Sequence, residues 1–518
     1  MNNIKNVKSK SIISAASLLS IFALLSRIIG LLRDRLLASE FGASEQLDIY
    51  MAAFRIPDFL FNIIVLGALS AAFIPIFTKY ITKNKLDRAW RFTNTIINLT
   101  IIVLIVISIP IIVFAKQFMI LIAPGLPPEA RELAAELTRI MLLSPLIFSI
   151  SNIAGSVLQS FKKFFLYSLA PLFYNLGIIF GIIVLVPKYG VHGLAYGVIL
   201  GAILHLLVQL PAVFILGFRY KIKFDLQQKS ISLLTRLMGP RTLSLLIVQI
   251  NLLIITAIAS FLQEGSITIF NFANNLQSVP IGVIGISFAV AAFPFLSEAS
   301  SKNNYQKFLS YFSKAFRQII FYIVPISVLM FVLRAQIVRL VLGSGEFDWE
   351  DTVLTLETLA FFALSLFAQG LIPLLVRSFH TLEDTKTPLQ IGLVSMAINA
   401  ALAYPLASIF GVAGLALAFS IASIVQMISL YVLLKGRLGN LNDNIIIKGF
   451  LHIIVSSILA GLIVYLALYL FAPILDTRTF VGLLLQTIGA VILGTLLYLG
   501  YHYLLKTKEF KEIFNGGK

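Results

Sequence analysis

Ionisable residues crowd into the first sixty positions of an otherwise apolar sequence. Arg27 lies in the middle of Leu25-Ser26-Arg27-Ile28-Ile29-Gly30, and Arg33-Asp34-Arg35 follows about two helical turns later. Asp48 comes next, and Arg55 and Asp58 flank Pro57. Charges inside a membrane span are costly and usually face a cavity or a partner. A guanidinium in such a cavity suits two-pronged contact with a phosphate or carboxylate. Arg27 and Arg33 are therefore read as ligands for an anion, and a lipid diphosphate has the fitting chemistry. Arg35, Asp58, Arg334 and Arg339 are read instead as snorkelling residues or as ion pairs that fix helix register. Other chemistries lack their residues. No glycine-rich phosphate loop with its lysine occurs. The histidines at 192, 205, 380, 452 and 502 show no metal-ligand spacing, and there is no cysteine. His205 reads as a hydrogen-bonded packing residue, with a proton relay as the alternative. No Ser–His–Asp arrangement can be argued, so the reading is a transporter without a cofactor, with any coupling ion left open.

The elements that must carry these residues are membrane helices. Of 518 residues, 59% are apolar and only 12% charged, about half the charged share of an average soluble chain. Charge-free runs such as 96–115, 169–186, 194–217 and 454–472 are each about long enough to cross a ~30 Å hydrocarbon core. Alternation of apolar and polar residues, the mark of a membrane β-barrel, is missing. Hydrophobic segments place helices at about 12–38, 47–79, 88–122, 129–160, 164–186, 191–217, 229–262, 266–298, 305–342, 350–382, 387–410, 412–434, 445–472 and 479–505. The fold class expected is an all-α polytopic membrane protein of about fourteen transmembrane helices. The basic start at residues 1–10 runs into a long apolar stretch with no evident cleavage site, so the first helix is expected to be retained. Lysine and arginine gather in alternate connections. Lys5, Lys8 and Lys10 precede the first helix, Lys79 to Arg91 surround the next connection on that side, and Lys506, Lys508 and Lys511 end the series. The opposite connections, such as 39–48 and 343–351, are acidic or neutral. The positive-inside rule then sets both termini in the cytoplasm. The net charge of +17 is a topology signal and a contact with anionic lipid headgroups, not a nucleic-acid surface.

The chain also repeats weakly at a spacing of roughly 220 residues. Ala71-Ala72-Phe73-Ile74-Pro75 is answered by Ala291-Ala292-Phe293-Pro294, and Gly190-Val191-His192-Gly193-Leu194-Ala195 by Gly411-Val412-Ala413-Gly414-Leu415-Ala416. Asn175 and Asn399 precede the latter pair, and Ser160-Phe161 matches Ser378-Phe379. Six helices per repeat give two parallel lobes, 1–228 and 229–440, around a central cavity, with two further helices and a tail in 441–518. Parallel repeats place a substrate between lobes that rock against each other. Gly193, Gly197 and Gly201 on the sixth helix, and Gly177 and Gly181 on the fifth, are read as close-packing faces with no substrate role.

Taken in order, Ser26-Arg27-Ile28-Ile29-Gly30, Arg33-Asp34, Phe41-Gly42-Ala43, Asp48 and residues 67–75 resemble the opening of the MurJ/MviN family. The resemblance continues through Gly345-Glu346-Phe347, Asp351-Thr352, Arg377-Ser378-Phe379-His380, Asp384-Thr385-Lys386-Thr387-Pro388 and 411–416. It implies a lipid II flippase of the multidrug/oligosaccharidyl-lipid/polysaccharide exporter superfamily, in a bacterial cytoplasmic membrane. Such a protein carries the undecaprenyl-diphosphate-linked peptidoglycan precursor from the inner to the outer leaflet by alternating access. Its partners would be that glycan lipid, membrane lipids and the cell-wall synthesis machinery. The motif carries Arg27, Arg33, Asp34 and Asp48 into the cavity or its gate, and Arg55 is a further cation that could serve there. Two departures stand out. Phe61-Asn62 and Leu66 occupy positions where the family commonly has two arginines and an acid, and Asn274-Asn275 stand where it has Asp-Arg. Asn62, Asn274 and Asn275 would then offer amide contacts in place of guanidinium charge. A cation-coupled exporter, marked by a lone deep carboxylate, and a non-transporting scaffold, which would tolerate loss of Arg27 and Arg33, are the rival readings.

Overall fold

Proline, glycine and short breaks, more than polar loops, punctuate the long apolar helices. A computed structural model describes residues 12–225 and 229–514, and among these every regular element is helical. Lys5, Lys8 and Lys10 lie outside the described residues, as does the side chain of Leu66. Among the described residues eleven helices are long and apolar enough to cross a membrane, and a pair bent by 46°, Trp349–Ala363 with Leu366–Thr381, makes a twelfth. The first helix, Ile12–Phe41, and the second, residues 45–82, hold the ionisable cluster and complete the series expected from sequence. Their neighbours present rows of bare aliphatic side chains outward, among them Val106, Ile109 and Val113 on the third helix. Such a surface is stable only in lipid.

The repeat seen in sequence is also a repeat of backbone conformation. The second helix opens into a wide π-helical stretch at Phe61–Leu69, and the eighth helix, Ser266–Ser301, does so at Ile281–Ile286. The third helix breaks at Phe114 (φ −99°, ψ 22°) and the ninth at Leu333 (φ −92°, ψ 12°). Gly190 (φ 56°, ψ −140°) ends the fifth helix, Phe164–Tyr189, and Gly411 (φ 57°, ψ −143°) ends the eleventh, Lys386–Phe410. A side chain is strained at such a positive φ, which is why glycine recurs at both turns.

By packing, the chain forms two compact units, Met1–Thr268 and Ile269–Lys518. In the first, the fifth helix lies against the first helix and the sixth, His192–Ile215. A Cβ on Gly177 or Gly181 would strike the backbone of Gly201 or Gly197, so these glycines do serve close packing. The seventh helix, Lys229–Ala259, packs on the second. Phe73 stacks between Phe77 and Phe92, with centroids 5.3 Å apart in each case, at the centre of an aromatic core. In the second unit the eleventh and twelfth (Val412–Leu438) helices pair. The thirteenth (Asp443–Phe471) bridges the ninth (residues 305–341) and the fourteenth (Phe480–Leu504).

Candidate functional site

Four helices of the first unit turn polar residues toward one another at helical spacing. Phe54, Pro57, Asp58 and Phe61 come from the second helix, and Ser144, Phe148, Ser151 and Asn152 from the fourth, Pro128–Ser160. The fifth contributes Tyr167, Pro171 and Tyr174, and the sixth His205 and Gln209, while Arg33 reaches in from the first. Residues three, four and seven apart share a helix face, so each helix lines the space with a single stripe. Together they enclose a cavity of about 380 Å³.

Arg33 is the cation of this cavity. Its Nε and Nη2 donate to Asp34 Oδ1 at 3.0 and 2.7 Å, and Nη1 donates to Asn175 Oδ1 at 3.2 Å. Asp34 is 3% exposed, so the pair is held from one side while the guanidinium keeps N–H groups for a ligand. Across the cavity, Gln209 Nε2 donates to Ser151 Oγ at 2.8 Å, and Ser151 Oγ lies 2.6 Å from His205 Nδ1. Ser151 Oγ accepts from Gln209 and so has its own hydrogen left to share with His205 Nδ1. The role of His205 as a hydrogen-bonded residue stands, but it also faces the cavity.

The residues singled out in sequence are not all in one place. Asn62 Nδ2 donates to Asp58 Oδ1 and to the Asp58 carbonyl, both at 2.9 Å, which ties Asn62 to the cavity wall. Arg55 turns away, with Nε donating to Thr256 Oγ1 on the seventh helix at 2.8 Å. Asp48 is 3% exposed. Its Oδ1 accepts from the backbone N–H and the hydroxyl of Thr268, at 2.8 and 2.7 Å, and so caps the start of the eighth helix. Arg27 is half-buried on the first helix and is not among the residues lining the cavity. Asn274 and Asn275 belong to the second unit. There Asn274 Oδ1 accepts from Gln277, whose Oε1 accepts from Gln369, itself a donor to Ser365. Asn275 accepts from Ser278 through its carbonyl at 2.8 Å.

For Asp58 and Arg339 the ion-pair alternative is not realised among the described residues. Asp58 forms no ion pair within 4 Å among the described residues, because Arg55 and Arg33 are directed to Thr256 and to Asp34. Arg339 pairs with no acid there either, and donates instead to the Thr477 carbonyl at 2.9 Å. Sequence reasoning passed over Ser144, Asn152, Tyr167, Tyr174 and Gln209. Their signal was polar residues at i, i+4 and i+7 spacing on the fourth and fifth helices and at i, i+4 on the sixth.

A polytopic helical protein with a polar, membrane-embedded cavity and an internal parallel repeat has the architecture of a secondary transporter. An inward-facing multidrug MATE transporter of the MOP superfamily shares this fold, with a TM-score of 0.68 at 18% identity over 83% of this chain and 99% of that one. A solved lipid II flippase MurJ in an inward closed conformation superposes with a TM-score of 0.78 at 27% identity, over 94% of this chain and 98% of the other. A probable lipid II flippase MurJ from Thermotoga maritima is 30% identical over 493 residues, 95% of this chain and 96% of the relative. Residues 37–486 match the family described as lipid II flippase MurJ. The chain belongs to that family.

Proposed function

We propose that this protein is a lipid II flippase that moves the polyprenyl-diphosphate-linked peptidoglycan precursor across a bacterial cytoplasmic membrane, both termini facing the cytoplasm. The family match over 37–486 carries this reading. Arg33, with N–H groups free to meet a diphosphate oxygen, supports it chemically. Arg27 would add charge on the same helix, and Asn62, Asn274 and Asn275 would add neutral contacts. Asp34 would orient Arg33, while Asp48 and Arg55 would hold the surrounding helices rather than touch the substrate. The protein would act as a carrier with no bond-making step, driven by an ion or by the membrane potential, worth ~2.3 kcal/mol per charge at 100 mV.

The test is rescue of a bacterium depleted of its own lipid II flippase, with lipid II in the outer leaflet assayed directly. Restored growth and exposure are expected. A folded, membrane-inserted protein that restores neither would move the assignment to another polyprenyl-linked glycan or to a scaffold in cell-wall assembly. A scaffold would also work with Arg27 and Arg33 both replaced by alanine, whereas a flippase would not.

A further inference from the structure

The cavity of the first unit contains a carboxylate that makes no ion pair within 4 Å among the described residues, the Arg55 charge acting on it only from a distance along the same helix. Asp58 lies half-buried on the second helix, beside Pro57 and one turn before the π-helical stretch. Asn62 Nδ2 occupies Oδ1 at 2.9 Å, among the described residues Oδ2 has no hydrogen-bond partner, and Asp58 lines the cavity. Several charged or titratable groups face it: Arg55 on its own helix, Arg33 from the first, Tyr167 and Tyr174 from the fifth, and His205 from the sixth. The fourth helix offers only neutral Ser144, Ser151 and Asn152. Among the described residues the third and seventh helices add nothing to the cavity lining. Arg33 is already paired with Asp34, Arg55 with Thr256, and His205 with Ser151.

We propose that Asp58 is a proton-binding site that couples transport to a proton gradient, an inference that rests on the transport reading above. An ionised carboxylate without a salt-bridge partner is costly inside a membrane, and taking up a proton removes that cost. The O–H bond forms at Oδ2, since Oδ1 is held by Asn62. The proton comes from water on the side to which the cavity is open and returns to water on the other side.

The test uses the purified full chain, compared by infrared difference spectroscopy between alkaline and acidic buffer. Wild type should gain a protonated-carboxyl band that Asp58→Asn lacks and Asp58→Glu restores at a shifted position. All three variants are to be matched by elution profile and thermal unfolding. The same band in Asp58→Asn, or no band in wild type, overturns the proposal. Sodium chloride that shifts the carboxylate band of wild type at constant pH, but not that of Asp58→Asn, also overturns it, in favour of a sodium site. In proteoliposomes, a pH gradient should accelerate lipid II translocation by wild type and have no effect on Asp58→Asn. Acceleration of both alike overturns the coupling. If the band behaves as expected and wild type translocates no lipid II, the proton site stands and the flippase reading falls.

Discussion

Arg33 brings five N–H donors to the cavity, and three of them are spent on Asp34 and Asn175. The carboxylate fixes the fork and leaves two donors unused, enough for a two-pronged contact with a phosphate. A lysine keeps the charge but has no fork, and cannot hold Asp34 and Asn175 while meeting a phosphate. Arg33→Ala should abolish rescue with the protein still in the membrane, and Arg33→Lys should lower lipid II exposure by about tenfold or more. Equal activity of lysine and arginine at 33 would count against a diphosphate contact. Asp48 makes the contrasting case, since its oxygens serve the Thr268 backbone and hydroxyl. Asp48→Ala should cost about 2 kcal/mol in detergent unfolding, with Asp48→Asn recovering much of it. The Arg33–Asp34 pair was legible because the two are adjacent in sequence. Asn175, 142 positions away, was visible only as a repeat marker, and the direction taken by Arg55 depended on Thr256, which carries no sequence signal of its own.

At the scale of elements, the polar residues that look misplaced in apolar helices are mostly engaged with backbone. Asn94 and Asn98, both buried on the third helix, receive the extended segment 219–225. Asn94 accepts from Lys221 N at 2.8 Å and donates to the Arg219 carbonyl, and Asn98 donates to the carbonyls of Lys221 and Lys223. Hydropathy placed the third helix correctly but gave no hint that one face clasps a connection, because hydropathy scores a residue without its partner. Close packing of the fifth and sixth helices, by contrast, was readable, since glycines four apart have few other uses in a membrane helix. The connection between the tenth and eleventh helices is held by Asp384. It accepts from Lys386 N and Thr387 N at 2.9 and 3.0 Å and from Thr387 Oγ1 at 2.6 Å, and it pairs with Arg437 at 2.5 Å. Partial burial alone would raise this carboxyl, but the Thr387 hydrogen bonds, the Arg437 charge and the Lys386 N–H outweigh it and hold it below its ordinary value. A lowered folded pKa means that the stabilisation is present above the unfolded value, about pH 4, and is lost as pH falls through the folded one. The stability gap between wild type and Asp384→Asn should therefore be constant down to about pH 4 and close below it. A gap that persists in stronger acid would contradict this assignment.

On the scale of the whole molecule, membrane character, helix order and the internal repeat were legible because they rest on composition and period, which need no partner. The tail was not. Its lysines suggested only a basic end, yet the short helix Lys508–Phe514 is docked by its acids. Arg317 of the ninth helix, 6% exposed, donates to Glu509 Oε1 at 3.2 Å and to Glu512 Oε1 at 2.7 Å. Nearby, His502 joins Ser456 and Thr507 at 2.9 and 3.0 Å, and Tyr498 donates to the Phe321 carbonyl at 2.7 Å. The ninth, thirteenth and fourteenth helices and the tail are thus fastened at one point. Removing residues 507–518 would strand the Arg317 guanidinium in a buried place, and breaking such a pair from one side costs about 3–5 kcal/mol. The truncated chain should therefore unfold at a clearly lower temperature. Adding Arg317→Met should recover much of the loss, because it removes the stranded charge while filling its space. If truncation lowers stability and Arg317→Met recovers none of it, the tail acts through packing alone. If truncation changes nothing, the contact does not fasten the unit.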